Sequence, residues 1–550
     1  MTYKYTPLPI EEKSGLSIRT SLILFAAGLL VCLATSTIQR SPGYMDAEYY
    51  MTGGLRTALG LGGTEPYLWN YLNPVSGLPA PAFTYWMPLT SLLSAIIPIL
   101  FKVNSFWAAR LPFILFTGLI PPMTAWISWE LFHSRKVSLL AGFLAVFPGM
   151  YLPYLGTVDT FPVYILLGGI FIQIVKYFQN PSRYKVLAAC FLAGLVGGGM
   201  HLARADGIIV VIVAGVLFTF WQRRGEDGEP ISIQSQPGYW LAGMGCIAAA
   251  YLVVMGPWYW RNLNLYGSFF PPGSRLTLWL TNYDEMFSYP PTGLTVQHWL
   301  DSGLGSILKV RLDALLINLQ TFFVIQGGII LWPLSFLGFW PLRGDIRIAA
   351  MGLIELAIFI AMTVFFPLAG SRGGFFHSGA AVQAFLWATA PAGLLQCIQL
   401  GKRLRGWDLV TAWRVFSMGL LTLCILISVL FTYRRVIGSD LSHPAWNESG
   451  RINRELGQAL EQQGIDSKEV VMVNNPPGFF LATGRPAVVI PTNGETAVRA
   501  AARRYHASIL LLDADNATML ESLYGTPGDR EGFRYLGTVI DNRLYRLDDQ

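Results

Sequence analysis

The stretch SPGYMDAEYY at residues 41–50 sets two carboxylates, Asp46 and Glu48, just beyond the first long apolar run of a chain in which only 13% of residues are charged. Single charged residues recur near the ends of later apolar runs: Asp159 in LPYLGTVDTFPVY, Arg204 and Asp206 in HLARADG, Arg261 in MGPWYWRNLNLYG, and Arg372 with His377 in SRGGFFHSGAA. A carboxylate can take a proton or offer oxygen to a hard cation, and a guanidinium can pair with an anion through charge-assisted hydrogen bonds. Taken singly, each residue also reads as a solvated loop side chain, an interfacial anchor or a helix cap. Asp46 and Glu48 lie two residues apart, so a regular helix would aim them to different sides and an extended loop would aim them together. Joint action by the two predicts a segment around Asp46 that is not yet helical.

The elements that position these residues are membrane spans. With 550 residues, 53% of them hydrophobic and 13% aromatic, the chain is too apolar for a soluble globule. Eleven apolar runs are long enough to cross a bilayer, near 20–38, 106–131, 137–154, 160–178, 185–203, 206–221, 239–256, 315–340, 348–367, 379–399 and 410–432. Every second short connection is basic: Arg135 and Lys136, Arg183 and Lys185, Arg223 and Arg224, Arg343 and Arg347, and Lys402, Arg403 and Arg405. The positive-inside rule places these in the cytoplasm, together with the N-terminus and its Lys4, Lys13 and Arg19.

Both assignments hold only if the further apolar run FTYWMPLTSLLSAIIPILF, residues 83–101, does not cross. It is expected to lie along the outer face as a re-entrant or juxtamembrane helix. The first outer loop, 39–105, then carries Asp46 and Glu48 on the extracytoplasmic side. Asp159, Arg204, Arg261, Arg372 and His377 fall at the same level. Charge at membrane depth costs about 2.5–3.5 kcal/mol per residue, so several such groups in one plane point to a pathway or a site.

From 434 onward the pattern becomes helix (GRINRELGQALEQQG), strand (EVVMV), helix, strand (AVVI), helix (GETAVRAAARRYH), strand (SILLLD) and a final strand pair around FRYLGTVIDNRLYRL. The fold class is therefore an α-helical polytopic membrane protein, 1–433, with a small extracytoplasmic α/β domain, 434–550. That domain has no Gly-rich phosphate loop and reads as a scaffold or acceptor guide. The net charge of +6 comes mostly from the cytoplasmic connections, which excludes nucleic acid as an expected partner. All five cysteines lie in apolar runs, so neither a disulfide framework nor a thiolate metal site is expected. Two sequons, Asn447-Glu448-Ser449 and Asn516-Ala517-Thr518, are short enough to arise by chance.

Five motifs then occur in a fixed order: the acidic pair of the first outer loop, AARLPF at 108–113, Asp159 in the next outer loop, LARADG at 202–207 and PWYWRNLNLYG at 257–267. In this set the chain resembles the C-type superfamily of polyprenyl-phosphate-dependent membrane glycosyltransferases. The likeness is nearest to the family 39 branch of protein O-mannosyltransferases and lipid A aminoarabinose transferases, and it covers most of 20–430. That branch often has adjacent Asp-Glu where this chain has Asp46-Ala47-Glu48. The tail, with ATGRPAVVIP at 482–491, is similar to the outer α/β domains of many bacterial members.

The resemblance implies inverting transfer of a sugar from a polyprenyl-phosphate donor to a lipid, glycan or protein acceptor on the outer face of the cell membrane. It implies Asp46, Glu48 and Asp159 as the catalytic acids, with Asp46 accepting the acceptor's proton, and Arg261, Arg204, Arg372 and His377 as partners of the lipid phosphate. A divalent cation on the three acids stays open, since oligosaccharyltransferase relatives use one and other branches do not. A transporter or flippase for a lipid-linked or sugar substrate is the alternative function. Its usual marks, repeated halves and midplane binding groups, are not seen in the sequence.

Overall fold

The computed structural model describes all residues except 1–14, 74, 222, 225–229, 232–235, 292, 517–518 and 549–550. Lys4, Lys13 and the Ala517-Thr518 half of the second sequon therefore lie outside the described residues. The described residues fold as two compact units, one drawn from the ranges 1–37, 112–261 and 313–435, the other from 38–111, 262–312 and 436–550.

The first unit is helical. Among the described residues nine helices are long and apolar enough to cross a membrane: Ile18–Ile38, Phe106–Phe132, Arg135–Leu155, Phe161–Gln179, Arg183–Ala203, Pro237–Tyr266, Ile346–Phe365, Pro367–Arg405 and Leu409–Ile437. They form because an apolar run of about 20 residues reaches across the hydrocarbon only if every backbone polar group is satisfied within the segment. The protein is a multi-pass membrane protein. Two of the eleven expected spans differ in form. The run at 206–221 is the shorter helix Ala205–Phe220, and the run at 315–340 is a bent pair, Leu304–Gln326 and Leu331–Leu342, with an 80° break.

That break has a local cause. Gly328 has φ +50° and Ile329 φ +68°, a conformation a β-branched residue rarely adopts. The carbonyl of Gln326, freed at the break, is recaptured by Gln383 Nε2 at 2.9 Å. Gln383 lies on the helix Phe375–Arg405, which is built largely of small residues on its buried face, among them Gly379, Ala380, Ala381, Ala384, Ala388 and Ala392. Small side chains let backbones approach closely. A Cβ at Gly393 would stand 1.8 Å from the Leu334 carbonyl oxygen.

The second unit holds a mixed six-stranded sheet and the first loop. The strands run in the order Tyr67–Leu68, Ala487–Val489, Val470–Val473, Ala507–Leu512, Asn542–Leu547 and Phe533–Val539. Tyr67 and Leu68 pair in parallel with Ala487 and Val488, so a strand of the first loop becomes an edge of the sheet. Helix Glu448–Gln462 leads into the C-terminal strands and helices Pro476–Thr483 and Glu495–Tyr505 connect them, the first and third as their apolar periodicity predicts. Met472, Val488, Val498, Leu510 and Leu512 are fully buried in the sheet core. The apolar run at 83–101 yields a helix only from Leu89 to Phe101, 13 residues or about 20 Å, too short to span a bilayer of about 30 Å.

Candidate functional site

In the second unit, Pro42-Gly43 turns the chain and the helix Met45–Ala58 begins two residues later. Gly43 has φ +92°, and a Cβ there would lie 2.2 Å from Trp446 Nε1, so only glycine fits. The Trp446 indole donates to the Ser41 carbonyl at 3.0 Å, and Asn447 closes the same corner by accepting from the Arg40 amide at 2.7 Å and donating to the Ile38 carbonyl at 3.0 Å. The first sequon's asparagine is thus a tie to the first loop. Asp46 and Glu48 both sit in the first helical turn, where an acid favours the helix dipole. An extended segment at Asp46 is not what forms, and the two carboxylates accordingly diverge.

Glu48 is buried and fully engaged: Asn475 Nδ2 donates to its Oε2 at 2.6 Å and Ser449 Oγ to its Oε1 at 3.1 Å. Asp46 is half-buried. Glu48 therefore ties the acid helix to the C-terminal helices, and Asp46 is the carboxylate of the pair with solvent access. One turn on, the Tyr49 hydroxyl and the Phe83 amide both donate to Glu65 Oε1. At the end of the first span, the buried Arg110 of the AARLPF motif donates to the Gln39 carbonyl at 2.8 Å and fixes the start of the acid loop.

Burial raises the Glu48 carboxyl above its ordinary value near 4.5, and the hydrogen bonds from Asn475 and Ser449 offset part of that rise. The folded chain thus keeps this proton to higher pH than the unfolded chain does. The stability contributed is fully present below about pH 4.5 and is lost as pH rises through the folded value. Glu48→Gln, neutral throughout, should show a flatter dependence of melting temperature on pH across that window than the wild type. Parallel profiles would show that Glu48 does not titrate in this way.

In the helical unit a second group of polar residues converges. Asp159 is fully buried, accepts from the Thr160 amide and hydroxyl, and lies 3.6 Å from His377 Nδ1. Thr160 Oγ1 is 3.3 Å from the same nitrogen, and the imidazole stacks on Phe161 at 4.1 Å between centroids. Arg204 Nε and Nη2 both donate to Asp206 Oδ2, at 3.1 and 3.0 Å. Asp206 also accepts from Tyr164 at 2.6 Å and from Ser378 at 2.5 Å. Asp159, Arg204 and His377 are thus gathered at the ends of three helices together with Asp206, which the sequence named but gave no role, and with Ser378 and Tyr164, which it did not single out. Arg261 lies with its guanidinium 4.6 Å over the Trp258 ring. Arg372 is exposed, in a kink where Gly373 has φ +101°.

The acids do not suit a divalent ion. Both Glu48 oxygens are taken by Asn475 and Ser449, and among the described residues no three His, Cys, Asp or Glu side chains converge as a ligand set.

No protein-family model and no curated protein sequence matches the chain. Solved structures do. ArnT from Cupriavidus metallidurans, in its apo state, superposes with a TM-score of 0.57 over 96% of this chain and 97% of its own, at 12% identity. The oligosaccharyltransferase of Archaeoglobus fulgidus, in complex with zinc and sulfate, superposes with a TM-score of 0.54 over 91% of this chain and 70% of its own, at 14% identity. The same oligosaccharyltransferase, tethered to an acceptor peptide containing an NVT sequon, gives 0.53 over 90% of this chain and 69% of its own, at 14% identity. The chain has the fold of the C-type membrane glycosyltransferases.

Proposed function

We propose that this chain is an integral membrane glycosyltransferase that moves a sugar from a polyprenyl-phosphate donor to a lipid, glycan or protein acceptor on the extracytoplasmic face, with inversion at the anomeric carbon. The observation that carries the reading is the correspondence in fold with ArnT along nearly the whole of both chains. The chemistry of the polar residues within each unit supports it. Asp46, half-buried in the first turn of its helix, takes the acceptor's proton as the nucleophile attacks. Arg261 meets the departing lipid phosphate, whose growing charge a guanidinium stabilises with paired hydrogen bonds. Arg204, His377 and Arg372 contribute positive or hydrogen-bonding character toward the same anion. Asp159, held against His377, acts as the carboxylate that orients that imidazole. Glu48 positions Asp46 by anchoring the helix that bears it. No nucleotide-binding fold is needed, because the activated sugar arrives through the membrane. The stretch 434–550 serves as a scaffold, to which the first loop is joined by strand Tyr67–Leu68.

This reading places the first loop and the C-terminal domain outside the cell and the N-terminus inside. It requires that Leu89–Phe101 not cross. Cysteines introduced at Gly60 and Lys102 should then be labelled by an impermeant reagent from the same, outer, side, and one at Ser134 only after the membrane is opened. Labelling of Gly60 and Lys102 from opposite sides would reverse the assignment. The transfer itself is tested by variants of Asp46 and Arg261.

A further inference from the structure

Asp206 has no part in the transfer as described above, yet it accepts hydrogen bonds from three other side chains of the helical unit's polar cluster, Tyr164, Arg204 and Ser378. It joins three segments: the helix Phe161–Val175 through Tyr164, the turn Ala205–Gly207 on which it stands, and the helix Phe375–Arg405 through Ser378. Its side chain is 7% exposed and that of Arg204 14%, so the pair is largely withdrawn from water. At that depth an ion pair survives only if its remaining lone pairs are satisfied, and the two hydroxyls do this. A guanidinium held by its Nε and one Nη2 on a single carboxylate oxygen cannot rotate about its long side chain without giving up both bonds. Ser378 also takes a longer contact from Arg204 Nη2, at 3.4 Å, and adjoins His377, whose ring faces Asp159. The carboxylate thus fixes the plane of Arg204 directly and, through Ser378, braces the helix turn that carries His377.

We propose that Asp206 is a positioning residue of the transfer site, holding the Arg204 guanidinium in the one orientation in which it meets the anionic end of a lipid-linked substrate. The proposal rests on the transferase reading and on Arg204 as a partner of the lipid phosphate. It assigns Asp206 no contact with substrate. Its effect is transmitted through Arg204, so the two residues must act as one unit rather than as independent contributors.

The test uses the full chain in nanodiscs and a short-chain polyprenyl monophosphate as the probe, with equilibrium affinity read by native mass spectrometry. Asp206→Asn should weaken the probe roughly 10- to 100-fold, the scale of a lost charge-assisted hydrogen bond, and Asp206→Glu should recover part of the loss. Arg204→Lys should weaken it as well. The double variant Arg204→Lys/Asp206→Asn should be no weaker than Arg204→Lys alone. Ser378→Ala, which leaves both charges in place, should cost a smaller factor and serves as the reading if Asp206→Asn fails to fold. Wild-type affinity in folded Asp206→Asn overturns the proposal, as do single losses that simply add in the double variant, or full affinity in Ser378→Ala where Asp206→Asn is unfolded. Failure of the wild type itself to bind the probe overturns the lipid-phosphate reading, and this proposal with it, in a way that does not depend on any Asp206 variant.

Discussion

Replacing Asp46 by asparagine should leave a folded protein that binds its donor and transfers sugar about 10² to 10⁴ times more slowly, the usual worth of a general base. The substitution keeps the shape of the side chain and one acceptor oxygen. It removes the ability to take a proton and the charge that suits a helix's first turn. Asp46 is half-buried, so a change there should cost little stability beside its effect on the reaction. Glu48→Gln should retain far more activity, because the two Glu48 oxygens are committed to Asn475 and Ser449. Turnover rates of the two purified variants, set beside their melting temperatures, decide the matter. An inert Glu48→Gln beside an active Asp46→Asn would exchange the roles. Full activity in both would make these carboxylates loop ornaments.

Arg261→Ala should have the second largest effect. Charge-assisted hydrogen bonds contribute about 1.5 to 3 kcal/mol each, so loss of this guanidinium should cost roughly tenfold to a hundredfold in kcat/KM for the donor. Arg261 lies over Trp258 at 4.6 Å, a contact that fixes its direction and that a lysine reproduces only in part. Arg261→Lys should therefore regain some of the loss while remaining clearly below the wild type. Donor titrations at saturating acceptor separate this from a change in acceptor use. An Arg261→Ala enzyme that turns over like the wild type would remove this residue from the mechanism.

The spans were legible because an apolar run about 20 residues long has few other uses, and the C-terminal elements because short runs of Val, Ile and Leu alternate with the clean 3.6-residue periods of Glu448–Gln462 and Glu495–Tyr505. The bend after Gln326 was signalled only by the Gly327-Gly328 pair, since an 80° break depends on recapture of the Gln326 carbonyl by Gln383, 57 residues away. The acid loop was read as extended if its two carboxylates were to work together. The helix instead starts as soon as the Pro42-Gly43 turn is passed, and what sends Glu48 away from solvent is a pair of donors, Ser449 and Asn475, lying 401 and 427 residues further on. No local pattern encodes such partners. Asp206 was within reach of the sequence, two residues from Arg204 in the same hairpin. Its importance shows only when Tyr164 and Ser378 are seen to converge on it.

The central claim, transfer of a lipid-linked sugar, is tested most directly by mass spectrometry of envelope lipids, glycans and glycoproteins from cells that carry the wild-type gene, lack it, or carry it with Asp46→Asn. The account predicts at least one sugar-bearing species that disappears without the gene, stays absent with Asp46→Asn present in the membrane at normal level, and returns with the wild type, while its polyprenyl-phosphate sugar donor accumulates. Identical glycan and lipid profiles in all three strains, with a lipid-linked or sugar substrate instead stranded on one side of the membrane, would contradict it in favour of a transporter.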